Sequence, residues 1–136
     1  MNPANKGIKM DFEKLALFKS SHDRCYTSQV LKLSIPYQIQ FDQIPWESPM
    51  EGVRHKFVDY NGQRIRLVEY SRELPPHWCE KGHCGYLLRG KTAIEFTDSE
   101  IIYNEGDGIL IPDGPEHKHR GRVLSEKALA FFIEKV

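Results

Sequence analysis

Short stretches in which apolar and polar residues alternate follow one another from residue 53 to residue 136. Pairs of turn-forming residues separate these stretches, such as Arg89 with Gly90 and Asp98 with Ser99. Alternation with a period of two predicts half-buried strands. The predicted strands comprise residues 56–60, 63–70, 84–88, 91–97, 100–103, 108–111, 117–123 and 129–135. Because no long helical period intervenes, the pattern indicates an antiparallel sandwich or barrel, and the predicted fold class is all-β.

One connection between these strands has a recognisable turn. Asn61 and Gly62 stand between the predicted strands 56–60 and 63–70. Both central positions of the tightest hairpin turns need a positive φ, which asparagine and glycine tolerate best. We therefore expect a β-hairpin centred on these two residues.

The first fifty residues have a weaker pattern. Residues 11–21 place Phe12, Leu15 and Phe18 along one side and predict a short amphipathic helix. Residues 30–35 and 37–41 resemble strands interrupted by Pro36, and residues 44–49 read as a loop. We interpret residues 1–50 as an N-terminal extension that covers one face of the main fold or reaches a second subunit, and residues 51–136 as the main domain.

Composition narrows the classes of partner. The 136 residues contain 19 basic and 19 acidic side chains, a formal net charge of zero. Such a chain has no field that would attract nucleic acid or an anionic membrane, and a small neutral partner fits better. The three cysteines are an odd number and favour a reducing compartment over a disulfide framework. With no apolar run long enough to span a bilayer, we expect a cytoplasmic protein.

The stretch from Pro76 to His83 concentrates side chains that bind metal ions. His77 and Cys79 are two residues apart, so in an extended strand they point to the same side, whereas Trp78 and Glu80 point to the other. Gly82 can turn or bulge the backbone so that His83 returns to that side. With a fourth donor from the distant His117, these residues form a candidate metal site.

The same residues resemble the two sequence motifs of the cupin superfamily. Gly106, Pro112, Gly114 and His117 match the first four fixed positions of the second motif. His77, Cys79, His83 and Gly90 stand at the intervals of the first motif, with Cys79 in place of its second histidine and His83 in place of its glutamate. Gly121 replaces the expected final asparagine. The resemblance implies a double-stranded β-helix, or jelly-roll barrel, over residues 51–136, with a divalent ion held in the barrel.

The two replacements, Cys79 and His83, change which metal ion the site would prefer. The usual cupin set is three imidazoles and one carboxylate, whereas His77, His83 and His117 with the Cys79 thiolate would be three imidazoles and one sulfur. A thiolate favours zinc or iron over the hard ions Mn²⁺ and Mg²⁺. Four ligands around Zn²⁺ would close the site, whereas Fe²⁺ could keep positions open for a substrate.

Several other residues keep more than one interpretation. His119 lies two residues after His117 and is either a base beside the ion, a fifth ligand or a solvated strand residue. Arg64 and Arg66 share one face of their strand, opposite Ile65 and Leu67. They could hold the carboxylate of a substrate in the pocket, or form an exposed charged face.

Three hypotheses about function follow from these expectations. The first is a small metal-binding cupin that uses its ion to bind, or act on, a small organic ligand. The second is a non-catalytic binding or regulatory module with a structural metal or none. The third is an oligomerising structural protein, which rests only on the N-terminal extension and on edge strands that need cover. Whether the protein is an enzyme stays open, and a homodimer is expected under all three hypotheses.

Overall fold

A computed structural model describes residues 37–136 of the chain. The predicted helix at residues 11–21 and the predicted strand at 30–35 lie outside the described residues. Within residues 37–136, no helix is long and apolar enough to cross a membrane.

The described part of the chain consists of β-strands joined by short turns. In chain order the strands are β1 (Glu47–Met50), β2 (Val53–Tyr60), β3 (Gln63–Ser71), β4 (His83–Arg89), β5 (Thr92–Phe96), β6 (Glu100–Tyr103), β7 (Gly108–Ile111), β8 (His119–Val123) and β9 (Lys127–Lys135). Two single-turn 3₁₀ helices, Phe41–Gln43 and Pro115–His117, complete the structure.

The strands form two antiparallel sheets. The larger sheet has the order β1-β2-β3-β9-β4-β7, and the smaller one has the order β6-β5-β8. The all-β prediction and the jelly-roll arrangement are confirmed. Neighbours in each sheet are often distant in sequence, as for β3 and β9, so the sheets assemble by long-range pairing.

The predicted hairpin between β2 and β3 is present. Tyr60 pairs with Gln63, and the two turn residues Asn61 and Gly62 have φ values of 50° and 74°. Asn61 is the one residue other than glycine with a positive φ among residues 37–136. The turn therefore has the backbone that its sequence predicts.

The core lies between the two sheets. Its centre is formed by apolar residues of the large sheet, with Tyr103 of β6 from the small sheet: Val53, Val68, Leu87, Tyr103, Ile109, Ile111, Ala128, Ala130 and Phe132. Ile94, Phe96 and Val123 of the small sheet pack against this cluster. Alternate residues of β9 point inward, and Glu134 follows the same alternation after Phe132. A carboxylate is thus carried to the inner side of the barrel.

Two predictions for the segment before β2 are wrong. Residues 37–41 do not form a strand, because the carbonyl groups of Gln40 and Phe41 accept hydrogen bonds from Gln43 and Ile44 in a 3₁₀ turn. Residues 47–49, part of the predicted loop 44–49, belong to β1 at the edge of the large sheet. A register shift between Glu47 and Met50 accommodates Pro49, since an edge strand tolerates a proline at an irregularity.

Candidate functional site

A cavity of about 250 Å³ opens between the two sheets. Leu87, Ile109, Ala130 and Phe132 contribute to its apolar lining, and they belong to the large sheet. Its polar lining includes Arg66, Tyr70, His77, Cys79, Lys81, His83, Thr92, His119, Arg120 and Arg122. The cavity volume is near the lower end of the roughly 300–1,000 Å³ that is common for small-molecule pockets.

The connection from β3 to β4 brings three predicted site residues to this cavity. His77 and Cys79 both line it, whereas Trp78 and Glu80 do not, as the expected alternation requires. The segment is nevertheless a loop with a single bridge at Cys79 and not a regular strand. His83, the first residue of β4, lines the same cavity.

Gly82 is required by a close approach of two backbones and not by a turn. A Cβ atom at this position would stand 2.2 Å from the carbonyl oxygen of Ile111. The Gly82 amide donates a hydrogen bond of 2.7 Å to the Asp113 carboxylate. The absence of a side chain therefore lets the metal-binding stretch lie directly on the connection that follows β7.

His117 lies apart from the other predicted ligands. It ends the 3₁₀ helix Pro115–His117, is not part of the cavity lining, and its side chain is 41% exposed. Its Nε2 atom stands 3.8 Å from Glu116. The strand predicted from residue 117 begins instead at His119, which is 4% exposed and lines the cavity. His119, and not His117, therefore shares the cavity lining with His77, Cys79 and His83.

The three cavity histidines are each held through Nδ1. His77 Nδ1 lies 3.1 Å from the Pro75 carbonyl oxygen, His83 Nδ1 lies 2.9 Å from Glu134 Oε1, and His119 Nδ1 lies 3.0 Å from the His117 carbonyl oxygen. These oxygens accept hydrogen bonds, so each Nδ1 donates, and in the neutral imidazole Nε2 is then the nitrogen with the lone pair. Such tethers are the usual support of metal-binding imidazoles.

Glu134 is a site residue that the sequence reasoning missed. Its side chain is 1% exposed and contacts Arg66 at 2.6 Å and His83 at 2.9 Å. Burial alone would raise the pKa of Glu134, but the hydrogen bond from His83 and the positive charge of Arg66 lower it to about 2. The signal was present in the sequence, because Glu134 has the same parity in β9 as the inward-facing Phe132.

The two arginines of β3 face the inner side of the sheet. Arg66 lines the cavity, and Arg64 makes a two-bond ion pair with Asp59. The face of β3 that carries Ile65 and Leu67 is the outer one. The interpretation of Arg64 and Arg66 as an exposed charged face is therefore wrong. Both guanidinium groups lie on the inner side of the sheet, where the carboxylates of Asp59 and Glu134 pair with them.

Burial and neighbouring charge disfavour a second proton on His119. Burial lowers its pKa, and the positive charges that His83 and His77 can carry lower it further, against the hydrogen bond to the His117 carbonyl, which raises it. The neutral imidazole, with its free Nε2, is the form that binds metal ions.

Within residues 37–136, no three His, Cys, Asp or Glu side chains are arranged as a group ready to hold an ion. The kind of donor nevertheless fits a divalent transition metal, because His77, His83 and His119 have a free Nε2 and Cys79 offers a thiol. His77 and Cys79 stand on a loop, so the donor set requires that their side chains turn toward His83 and His119.

Comparison with solved structures identifies the architecture. KdgF from Halomonas sp. is similar with a TM-score of 0.56 at 21% identity, over 69% of this chain and 89% of that one. An RmlC-like cupin from Shewanella frigidimarina has a TM-score of 0.56 at 13% identity, over 72% and 91% of the two chains. The chain has the cupin fold. The polyketide cyclase RemF from Streptomyces resistomycificus is also similar, with a TM-score of 0.59 at 19% identity, over 72% and 78% of the chains.

No protein-family model matches the sequence, and no curated protein matches it either. These structural likenesses, all at low identity, concern the fold.

The glycines that match the cupin motifs occupy turns of this barrel. Gly90, Gly106 and Gly114 have φ values of 85°, 96° and 127°, a region that favours glycine. Gly114 directly precedes the 3₁₀ helix that ends at His117. Gly121, which stands where the cupin motif has asparagine, lines the cavity. A Cβ atom at this position would have no neighbouring atom within 4 Å. The motif positions therefore predicted the turns of the cupin barrel correctly. The histidine of the motif, His117, is not part of the cavity lining.

Proposed function

We propose that this cupin binds a small organic ligand in the cavity between its sheets and holds a divalent transition metal, zinc or iron, beside it. His77, Cys79, His83 and His119 are the proposed ligands of the ion. The observation that carries the proposal is that three imidazoles lining one cavity each donate from Nδ1 to a fixed oxygen and keep Nε2 free.

The proposed set differs by one residue from the set His77, Cys79, His83 and His117 that the cupin motif suggests. His119 replaces His117 because it lines the cavity and is buried, whereas His117 is partly exposed. The charge of the donor set is unchanged by the exchange. A bound ion would supply Lewis acidity to a ligand oxygen.

The residues around the ion have separate tasks in this proposal. Glu134 fixes the orientation of His83, and the His117 carbonyl fixes that of His119. The apolar floor of the cavity, which includes Leu87, Ile109 and Phe132, excludes water from the ligand. Similarity to the polyketide cyclase RemF agrees with a ligand of organic character but does not identify it.

Metal analysis of protein purified without chelator tests the proposal. We expect about one ion per chain in the wild type. The variant His119→Ala should lose it, and the matched variant His117→Ala should retain it. Loss in His117→Ala with retention in His119→Ala would restore the set with His117, and a wild type without metal after reconstitution with Zn²⁺ or Fe²⁺ would refute the metal proposal. Circular dichroism of each variant separates loss of the ion from loss of the fold.

A second candidate is a binding or regulatory module that needs no metal. The observation in its favour is the size of the apolar lining, which can hold an organic ligand without help from an ion. Ligand binding that is unaffected by removal of the ion would support this candidate. The cytoplasmic location and the homodimer stay predictions.

A further inference from the structure

We propose that the ligand of the cavity is a small carboxylate with an apolar body, and that Arg66 and Lys81 hold its charge. The inference rests on the proposed binding function and names its ligand class. It does not depend on the metal, since the two cations lie on the protein itself.

Two cationic side chains approach the carboxylate of Glu134. Arg66 Nη2 lies 2.6 Å from Glu134 Oε1, and Lys81 Nζ lies 3.8 Å from Glu134 Oε2, beyond hydrogen-bonding distance. Both cations line the cavity. Two cationic side chains therefore face one carboxylate. This end of the cavity carries an excess of one positive charge although the chain as a whole is neutral.

The hydrogen bonds of Arg66 also favour an anionic ligand. The Arg66 guanidinium has five N–H donors, but its side chain is 14% exposed and donates at good distance only to Glu134. Its Nη1 atom is 3.5 Å from His55 Nδ1, and its Nε atom is buried without a partner, as is Glu134 Oε2, which Lys81 approaches only to 3.8 Å. Buried donors without acceptors are unfavourable, and a carboxylate is the acceptor that a guanidinium fits best.

The other cations of the cavity differ because their charge is already neutralised. Arg120 makes two hydrogen bonds with Glu95, at 2.9 and 3.2 Å, and Arg122 donates to both oxygens of Glu100, at 3.0 and 3.2 Å. The excess charge is therefore confined to the end that Arg66 and Lys81 share. The apolar body of the ligand would contact Leu87, Ile109 and Phe132, which line the same cavity.

Matched probes of equal size test this inference. Hexanoate, hexanamide and hexylammonium share one apolar chain and differ in charge, and their binding is measured by titration followed by amide NMR shifts in the chelator-treated full chain. We expect hexanoate to bind about tenfold more tightly than hexanamide, because one charge-assisted contact has about that effect. Hexylammonium should bind most weakly. Equal affinity for hexanoate and hexanamide, or no hexanoate binding, would overturn the proposal.

Two variants locate the charge. Lys81→Met should remove most of the preference for hexanoate, and the matched control Lys135→Met should leave it unchanged, because Lys135 is exposed and does not line the cavity. Arg66→Lys keeps a positive charge beside Glu134 but loses the guanidinium, and it should also weaken hexanoate binding. A preference that survives both Lys81→Met and Arg66→Lys would exclude these residues as the anion site.

Failure of this inference can be distinguished from failure of the proposed function. Metal content is read from the His119→Ala and His117→Ala variants and does not depend on the probes. Tighter binding of hexanamide than of hexanoate would leave a ligand-binding cupin with a different ligand class. If none of the three probes binds, both the carboxylate inference and the apolar-ligand part of the proposed function are refuted, while the metal result stands by itself.

Discussion

Cys79 and His119 exchange two backbone hydrogen bonds, with the Cys79 amide 2.8 Å from the His119 carbonyl and the His119 amide 2.9 Å from the Cys79 carbonyl. This bridge fastens the loop that carries His77 to the start of β8. Because the two residues are 40 positions apart, their pairing is what brings the two cupin motifs to one cavity. As a result His119, and not the motif residue His117, lines the cavity.

Removal of the Glu134 charge should destabilise the barrel. In Glu134→Gln, Arg66 would be left as a buried cation, and loss of one partner of a buried ion pair lowers the free energy of unfolding by about 3 kcal/mol. The control is Glu100→Gln, since its ion pair with Arg122 is exposed and contributes less than about 1 kcal/mol. Urea unfolding at pH 7 measures both. A similar, small loss in the two variants would contradict a buried ion pair.

The same variant should weaken the metal site if His83 binds the ion. Glu134 is the charged acceptor that holds His83 Nδ1, and Gln leaves only a neutral amide oxygen for this bond, so we expect metal affinity to fall toward the lower end of the roughly 10–100-fold typical for such supports. Competition with a chelating dye measures the change. Unaltered affinity in folded Glu134→Gln would exclude His83 as a ligand that depends on this carboxylate.

Gly82 and Gly121 should respond in opposite ways to the same substitution. In Gly82→Ala the new Cβ would collide with the Ile111 carbonyl, 2.2 Å away, and backbone atoms cannot move aside cheaply. We expect a loss of roughly 2 kcal/mol or more. In Gly121→Ala the Cβ meets no atom within 4 Å, so stability should be unchanged or rise by up to about 1 kcal/mol. Thermal unfolding of both variants checks this, and equal destabilisation would contradict the close approach at Gly82.

Local patterns in the sequence predicted the strands well because they reflect burial on one side. The hairpin at Asn61 and Gly62 formed as expected, and β6 and β7 have the predicted bounds. Each of these features depends on a few consecutive residues. They could be predicted because turn geometry and alternation are local properties of the backbone.

The inner and outer faces of β3 could not be assigned in the same way. Ile65 and Leu67 have the composition of an inner face, and Arg64 and Arg66 that of an outer face. The actual orientation depends on Glu134 and Asp59, which pair with the arginines from other strands. Similarly, the 3₁₀ turn at Pro115–His117 moves the cavity position from His117 to His119. Both outcomes depend on contacts between residues that are distant in sequence.

The free energy of unfolding should decrease as the pH falls below 7, and His55 should contribute to this decrease. Burial lowers the pKa of His55, and the charge of Arg66 lowers it further. The unfolded chain therefore takes up a proton near pH 6.5 that the folded chain resists, so the free energy of unfolding decreases from about pH 7 downward and levels off below the folded-state pKa. His119 has a lowered pKa as well and adds to this slope.

The variant His55→Gln isolates the contribution of His55. Its free energy of unfolding should decline less between pH 7.5 and 5.5 than that of the wild type, since it removes one of the two buried groups, while the slope from His119 remains. Urea unfolding at several pH values gives both curves. Identical slopes for the two proteins would show that His55 is as easily protonated in the folded chain as in the unfolded one.

Removal of the proposed metal should change the rate at which the Cys79 thiol is alkylated and leave the rate for Cys84 unchanged. In a Cys25→Ser/Cys84→Ser background, Cys79 is the remaining thiol, and alkylation by iodoacetamide should slow several-fold when Zn²⁺ is bound because a coordinated sulfur is a poorer nucleophile. Chelator should restore the rate. In a Cys25→Ser/Cys79→Ser background, Cys84 is exposed on β4 and should react at one rate throughout. Equal rates for Cys79 with and without Zn²⁺ would remove the thiol from the proposed donor set and leave three imidazoles.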